Sequence, residues 1–270
     1  MTSSQIHFWN GNKSASRQIF ELQLIEHILA AGSSDTGLSV IEDRTDYPDA
    51  KDEGDIFLKG IDVCVTIAGN PKFADGTYIP IYEPLMNGLL GHRLIIIRQS
   101  DTADFANIKS ALQLKEKTIG IPATWADAAL FRANGYPVHE EGSLEDLFQR
   151  LAKGDFDYVA LGVNEIQAIF EQFAKPLTSL IIEPTLRLYY PFALVFYVSP
   201  KRPELASRLE KGIRMMMSGG EYQDIFKQHT ATIIASCMLN QRQEIRLDNQ
   251  ALPSELSTRM QRAYNDLLNY

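Results

Sequence analysis

The sequence predicts an α/β protein of two lobes, each a mostly parallel sheet flanked by helices, with the lobes joined by a two-strand hinge. Three observations carry that prediction. Strand and helix patterns alternate as βαβαβ twice, from Ile6 to Ile67 and again from Ile119 to Leu161. Such alternation builds parallel sheets with right-handed crossovers. An apolar, β-branched run from Leu94 to Arg98 leads from the first set to the second, and a longer run, Tyr190 to Val198, leads back. The chain then divides as 1–98 for the first part of lobe one, 99–188 for lobe two, and 189–270 for the return strand and C-terminal helices of lobe one.

The elements follow in order. Ile6 to Trp9 is a strand, and Asn10-Gly11-Asn12 a loop. Phe20, Leu24 and Ile28 share a face of a helix from about Arg17 to Ala31. Leu38 to Ile41 and Val63 to Ile67 are strands, with a weakly patterned helix from Asp49 to Leu58 between them. Ile79 to Tyr82 is extended and flanked by proline. Ile119 to Ile121 is a short strand ending at Pro122, and Ala126 to Ala133 a helix stopped by Asn134-Gly135. Ser143 opens the next helix with Asp146 in capping-box position, Leu144, Leu147, Phe148 and Leu151 form its apolar face, and Gly154 ends it. Tyr158 to Leu161 is a buried strand. Pro203 starts a helix that ends at Gly219-Gly220. Tyr222 to Phe226 and Thr230 to Leu239 read as two further helices, residues 246–253 as irregular chain, and Ser254 to Leu268 as a last helix.

Composition narrows the function. The chain has 270 residues, 45% hydrophobic, and a formal net charge of −8 without a basic block. Clustered Lys and Arg are what phosphate backbones require, so nucleic acid is not an expected partner, and the same argument sets aside an anionic membrane surface. The longest unbroken apolar run, Phe192 to Val198, is too short to span a bilayer. No signal peptide is visible at Met1-Thr-Ser-Ser-Gln. Cys64 and Cys237 lie in apolar surroundings and read as buried free thiols.

Catalytic and metal signatures are thin. There is no P-loop, Gly-x-Gly-x-x-Gly or Gly-x-Ser-x-Gly pattern, and the five histidines show no ligand spacing. No cofactor or metal is implied. Glu140-Glu141 reads as a solvated pair beside a turn.

Ligands of open parallel sheets sit beyond the carboxyl ends of the strands. In the second lobe that places Ala123-Thr124-Trp125-Ala126-Asp127 and Gly162-Val163-Asn164-Glu165 at the site, both at helix starts where backbone N–H groups favour anions. In the first lobe it places Trp9-Asn10 and Gly69-Asn70-Pro71-Lys72 there.

The stretches KTIGIPATWADAALFRANGYPV, GSLEDLFQRLAKGDFDYVALG and YYPFALVFYVSPKRPELASRLEKGIRMMMSGGEYQDIF resemble bacterial extracellular solute-binding proteins of the polar amino acid ABC-transporter type. The resemblance extends weakly over nearly all of the chain. It implies a periplasmic-binding-protein-like (type II) fold, export to the periplasm, and a monomer that captures a small polar solute, an amino acid or related carboxylate, in an interlobe cleft. The solute is then offered to a membrane transporter permease or a sensor, and no reaction is implied. A lyase or dehydratase on the same scaffold, with Glu165 as its acid or base, is the alternative, as is the sensing module of a receptor.

The family pattern also suggests roles. Thr124 matches the small hydroxyl residue that takes the ligand's carboxylate, or else it caps a helix. Trp125 stacks on the ligand or packs between lobes. Asp127 is a first-turn acid or a ligand group. Lys72 stands where the family has an arginine that holds the carboxylate; a lysine is a point charge and lacks the fork. Arg93 is an alternative cation. Asn164 and Glu165 stand where the family has an aspartate for the ammonium, with Glu165 as replacement anion or Asn164 as a helix cap. Asn10 completes the candidate set.

Overall fold

The computed structural model describes residues 5–32 and 38–268. In chain order the elements are β1 (Gln5–Trp9), α1 (Ala15–Ala31), β2 (Ser39–Asp43), α2 (Ala50–Gly54), β3 (Val63–Ile67), β4 (Ile79–Leu85), β5 (His92–Arg98), α3 (Thr102–Ala106), α4 (Ala111–Leu114), β6 (Ile119–Ile121), α5 (Ala126–Ala133), β7 (Val138–Glu140), α6 (Leu144–Lys153), β8 (Tyr158–Gly162), α7 (Ile166–Ile169), β9 (Leu180–Ile182), β10 (Leu186–Tyr189), β11 (Leu194–Val198), α8 (Pro203–Gly219), α9 (Glu221–Cys237), β12 (Gln243–Arg246) and α10 (Ser254–Leu268).

These elements group into two compact units. The first holds the chain up to Asn87, Ala193–Thr232 and Pro253–Ala263. The second holds Gly88–Phe192, Ile233–Leu252 and the chain from Tyr264 on.

The sheet of the first unit has the order β2-β1-β3-β11-β4. The pairs of β1 with β2 and β3 are parallel, and β11 runs antiparallel between β3 and β4. Its core is built from Ile6, Phe8, Val63, Val65, Phe196 and Val198 of the sheet with Leu24 and Ile28 of α1 and Leu209 and Ile213 of α8. α8 lies close against α1: a Cβ on Gly212 would stand 2.0 Å from the carbonyl oxygen of Ile28. Cys64 is buried in β3.

The sheet of the second unit has the order β12-β10-β5-β8-β6-β7, with β9 also paired to β5. The β6, β7 and β8 pairings are parallel, as the alternating pattern requires, whereas β5 is antiparallel to β8, β9 and β10. Both sheets are thus mixed. The Ser143 capping box is present, with Asp146 accepting the Ser143 N–H at 2.8 Å, and Gly154 closes α6 in the left-handed region at φ 92°. Leu147, Phe148 and Leu151 are buried beneath that helix, and Phe156 fills the space that a Cβ on Gly120 would enter. Cys237, at the end of α9, is also a buried free thiol.

Three expectations are corrected. Tyr190 to Val198 is not one strand: β10 ends at Tyr189, β11 starts at Leu194, and the two lie in different sheets. Pro191 lacks the N–H that a continuing ladder needs. The two helices read from Tyr222 and Thr230 are one, α9; Thr230 is buried and returns its hydroxyl to the Phe226 carbonyl, so its polarity does not interrupt the helix. The irregular chain read over 246–253 starts one residue later, because Arg246 ends β12, which pairs in parallel with β10.

Candidate functional site

The second unit gathers its charge at one edge of its sheet. β6 and β8 point their carboxyl ends there, at Ile121 and Gly162. Since β5 is antiparallel to β8, its amino end arrives at the same edge, with Arg93 opposite Gly162. Sheet direction alone therefore brings the start of β5, the start of α5 and the chain after β8 together.

Arg93 is the centre of the edge. Only 2% of it is exposed. Its Nη2 lies 3.3 Å from Oδ1 of Asp127, and its Nη1 lies 3.8 Å from Oε1 of Glu165. The guanidinium carbon is 5.2 Å from the ring centres of both Tyr190 and Phe192, within cation–π range. The Nε atom is buried without a hydrogen-bond partner. Burial opposes the arginine's charge, but Tyr190, Asp127 and Glu165 together raise its pKa above the ordinary value.

Asp127 enters from the first turn of α5 and is buried. Its Oδ1 accepts a hydrogen bond from the Tyr190 hydroxyl at 2.6 Å. Burial pushes the Tyr190 phenol well above its usual range, with Arg93 opposing and Asp127 reinforcing the shift, so Tyr190 stays a neutral donor.

Glu165 is the N-cap residue of α7, makes no side-chain cap bond, and is buried beside Arg93. The expectation that Asn164 caps this helix is corrected: Asn164 lies one residue earlier. Its carboxamide is buried with neither Oδ1 nor Nδ2 partnered. Gly162 makes room for both side chains, since a Cβ there would stand 2.6 Å from Oδ1 of Asn164 and 3.2 Å from Oε1 of Glu165.

Thr124 and Trp125 form the turn before α5. Trp125 is the N-cap residue, which corrects the reading of Thr124 as the cap. Trp125 is half-buried. Thr124 is exposed and sits at φ 68°, a region that a β-branched residue enters only under strain. Its N–H donates to Oε1 of Glu140 at 3.1 Å, and Arg132 holds the other oxygen of that carboxylate at 2.5 Å. Glu140 is therefore no solvated bystander, and nothing in the residue pair Glu140-Glu141 signalled this use.

The candidates of the first unit stand at the carboxyl edge of its own sheet and are engaged internally. Asn10 is fully buried; its Nδ2 donates to Gln18 O and Glu42 Oε1, and its Oδ1 accepts from Lys13. The neighbouring Trp9 is a core residue whose Nε1 donates to Thr45 O. Lys72 forms a 2.8 Å ion pair with the buried Glu53, which also accepts from Asn12. Lys13 and Arg17 both pair with the buried Glu21, at 2.6 and 2.7 Å.

Among the described residues no group of three or more His, Cys, Asp or Glu side chains is placed to hold a metal ion. No helix among them is long and apolar enough to cross a membrane.

No family model matches the chain, and no curated protein matches it in sequence. Solved structures do match it in fold. A histidine kinase sensor domain with similarity to periplasmic binding proteins superposes with a TM-score of 0.58 at 14% identity, covering 84% of this chain and 96% of that one. An ancestral arginine-binding protein bound to arginine gives 0.57 at 17% identity, covering 85% and 100%. AbpA, an amino acid ABC transporter substrate-binding protein of Streptococcus pneumoniae bound to L-arginine, gives 0.57 at 12% identity, covering 85% and 96%. The chain has the two-lobed α/β fold of the periplasmic binding proteins. Among the proteins that share it, this chain is similar to the amino acid substrate-binding proteins of ABC transporters.

Proposed function

We propose that this chain is a solute-binding protein of the periplasm that captures a small polar solute and delivers it to a membrane transporter, acting by binding and without turnover. The observation that carries the reading is the set of buried, incompletely paired polar groups at the strand-end edge of the second unit. Arg93 Nε and the Asn164 carboxamide are buried donors and acceptors without partners. Burying such groups costs free energy that a hydrogen-bonding ligand recovers. Their position at strand ends, where open α/β sheets hold ligands, supports the reading. Arg93, Asp127, Asn164 and Glu165 are the ligand-contacting residues of this reading, with Thr124 and Trp125 at its margin. Asn10 and Lys72 belong to the corresponding edge of the first unit, where they order the loop after β1 and the turn after β3.

The test is native mass spectrometry of the purified protein for a co-purified small molecule, followed by thermal shift with the compound found. A ligand at 100 times its Kd stabilises the folded state by about 2.7 kcal/mol, which raises Tm by roughly 5–10 °C at this chain length. Incubation of the complex should return the compound unchanged; conversion would replace this reading with an enzyme on the same scaffold. The likeness to a histidine kinase sensor domain supports a second reading, a ligand-sensing module. Uptake of the labelled compound that survives deletion of this gene, with loss of a transcriptional response, would favour the sensor.

A further inference from the structure

We propose that the solute this edge takes is an amine that brings no carboxylate to it. The inference rests on the solute-binding reading above and adds the chemical class of the ligand.

Two independent observations lead there. The first is charge. Arg93 faces two buried carboxylates, so the cluster of Arg93, Asp127 and Glu165 carries one negative charge in excess. Asp127 is served by Tyr190 at 2.6 Å and by the nearer arm of Arg93. Glu165 is left with Arg93 at 3.8 Å, beyond hydrogen-bonding distance, and among the described residues no hydrogen bond reaches its carboxylate. A largely buried carboxylate that no protein donor reaches favours a ligand that brings a donor to it. A protonated amine supplies both the missing charge and the missing donors. The Asn164 carboxamide, buried and unpartnered on both atoms beside Glu165, offers its Oδ1 to another N–H of the amine, while its Nδ2 and the Arg93 Nε are left for a neutral acceptor elsewhere on the solute.

The second observation is the use made of the anion-accepting turn. The Thr124 N–H, ahead of α5, would be a donor for a ligand carboxylate. Glu140 already occupies it from within the unit, and Arg132 fixes Glu140 in place. A carboxylate arriving here meets an occupied donor and the negative charge of Glu140. The cations at the strand-end edge of the first unit are likewise engaged by carboxylates of their own unit, Lys13 and Arg17 by Glu21 and Lys72 by Glu53. Among the described residues, the cations named at these two edges each have an internal carboxylate partner.

The experiment is isothermal titration calorimetry with two matched pairs, L-lysine with cadaverine and L-arginine with agmatine, each pair differing by one carboxylate. The amine should bind at least tenfold tighter than its amino acid in at least one pair. Glu165→Gln should weaken the amine at least tenfold, and Asp127→Asn serves as a second test of the charge should the first variant not fold. Glu140→Ala, which frees the Thr124 N–H, should narrow the gap by improving the amino acid. Amino acids binding tighter than their amines would overturn the proposal and leave the solute-binding reading intact, as would a Glu165→Gln variant with unchanged amine affinity. No binding by any of the four compounds also overturns it, while a different co-purified molecule found by mass spectrometry would still uphold solute binding.

Discussion

The hydroxyl of Tyr190 donates to Oδ1 of Asp127 across 63 residues of sequence, at 2.6 Å. This bond joins the segment that follows β10 to the first turn of α5 and fixes the carboxylate against Arg93. Tyr190→Phe removes the donor and leaves the packing of the ring. Loss of a hydrogen bond to a charged group costs about 1.5–3 kcal/mol. Thermal unfolding should show a Tm lower by roughly 3–12 °C, with the far-ultraviolet circular dichroism unchanged.

Arg93 is the one cation beside two largely buried carboxylates. Arg93→Met therefore strands buried charge, which costs about 3–5 kcal/mol. Denaturant unfolding should show that loss as a lower midpoint. Adding Asp127→Asn and Glu165→Gln to Arg93→Met should restore part of the stability, because the stranded charges are then gone. Equal stability of the single and triple variants would mean that Arg93 acts by packing alone.

His92 gives the stability a pH dependence. It is buried, its ring is stacked on Tyr264 with centres 5.5 Å apart, and its Nδ1 lies 3.3 Å from Nη1 of Arg187. Burial, then Arg187 and Arg246, lower its pKa from 6.5 to about 3. The unfolded chain thus binds a proton that the folded chain refuses. This contribution is fully present above pH 6.5 and is lost as pH falls toward 3. Each unit of that fall costs up to about 1.4 kcal/mol. Chemical denaturation at a series of pH values should show this slope, and His92→Gln should flatten it.

The capping box of α6 offers a local test. Ser143→Ala removes the side-chain acceptor for the Glu145 N–H, which lies 3.2 Å away. The expected loss is about 0.5–2 kcal/mol, read as a shift in Tm. Ser143→Asp should preserve most of the stability, since aspartate also accepts at this position.

Much of the fold was legible because its signals are local. Ser143, Asp146 and Gly154 mark the ends of α6 by their own chemistry, and Val63 to Ile67 reads as a buried strand from its apolar run. The break between β10 and β11 had one local signal, Pro191, which the apolar character of Tyr190, Phe192 and Ala193 around it outweighed. β12 was missed because it is short and mostly polar. For the site, topology named turns at the strand ends but not the pairings of their side chains. Asn10 and Lys72 have the residue types of ligand contacts, yet each is engaged by a carboxylate from a distant segment, Glu42 and Glu53. Arg93 was legible only as an alternative cation, since the antiparallel placement of β5 is what carries it to the edge.

That placement also sets an order of assembly during synthesis. The groups at this edge enter the chain as Arg93, Asp127, Glu165 and finally Tyr190. A ribosome that has added Glu165 has already supplied every charge of the cluster, but not the phenol that holds Asp127 or β10, which flanks β5. Until those residues emerge, the acidic pair is one that water must solvate. The last part of unit 2 to be translated before the chain returns to unit 1 is thus the part that brings the phenol for Asp127 and the strand beside β5.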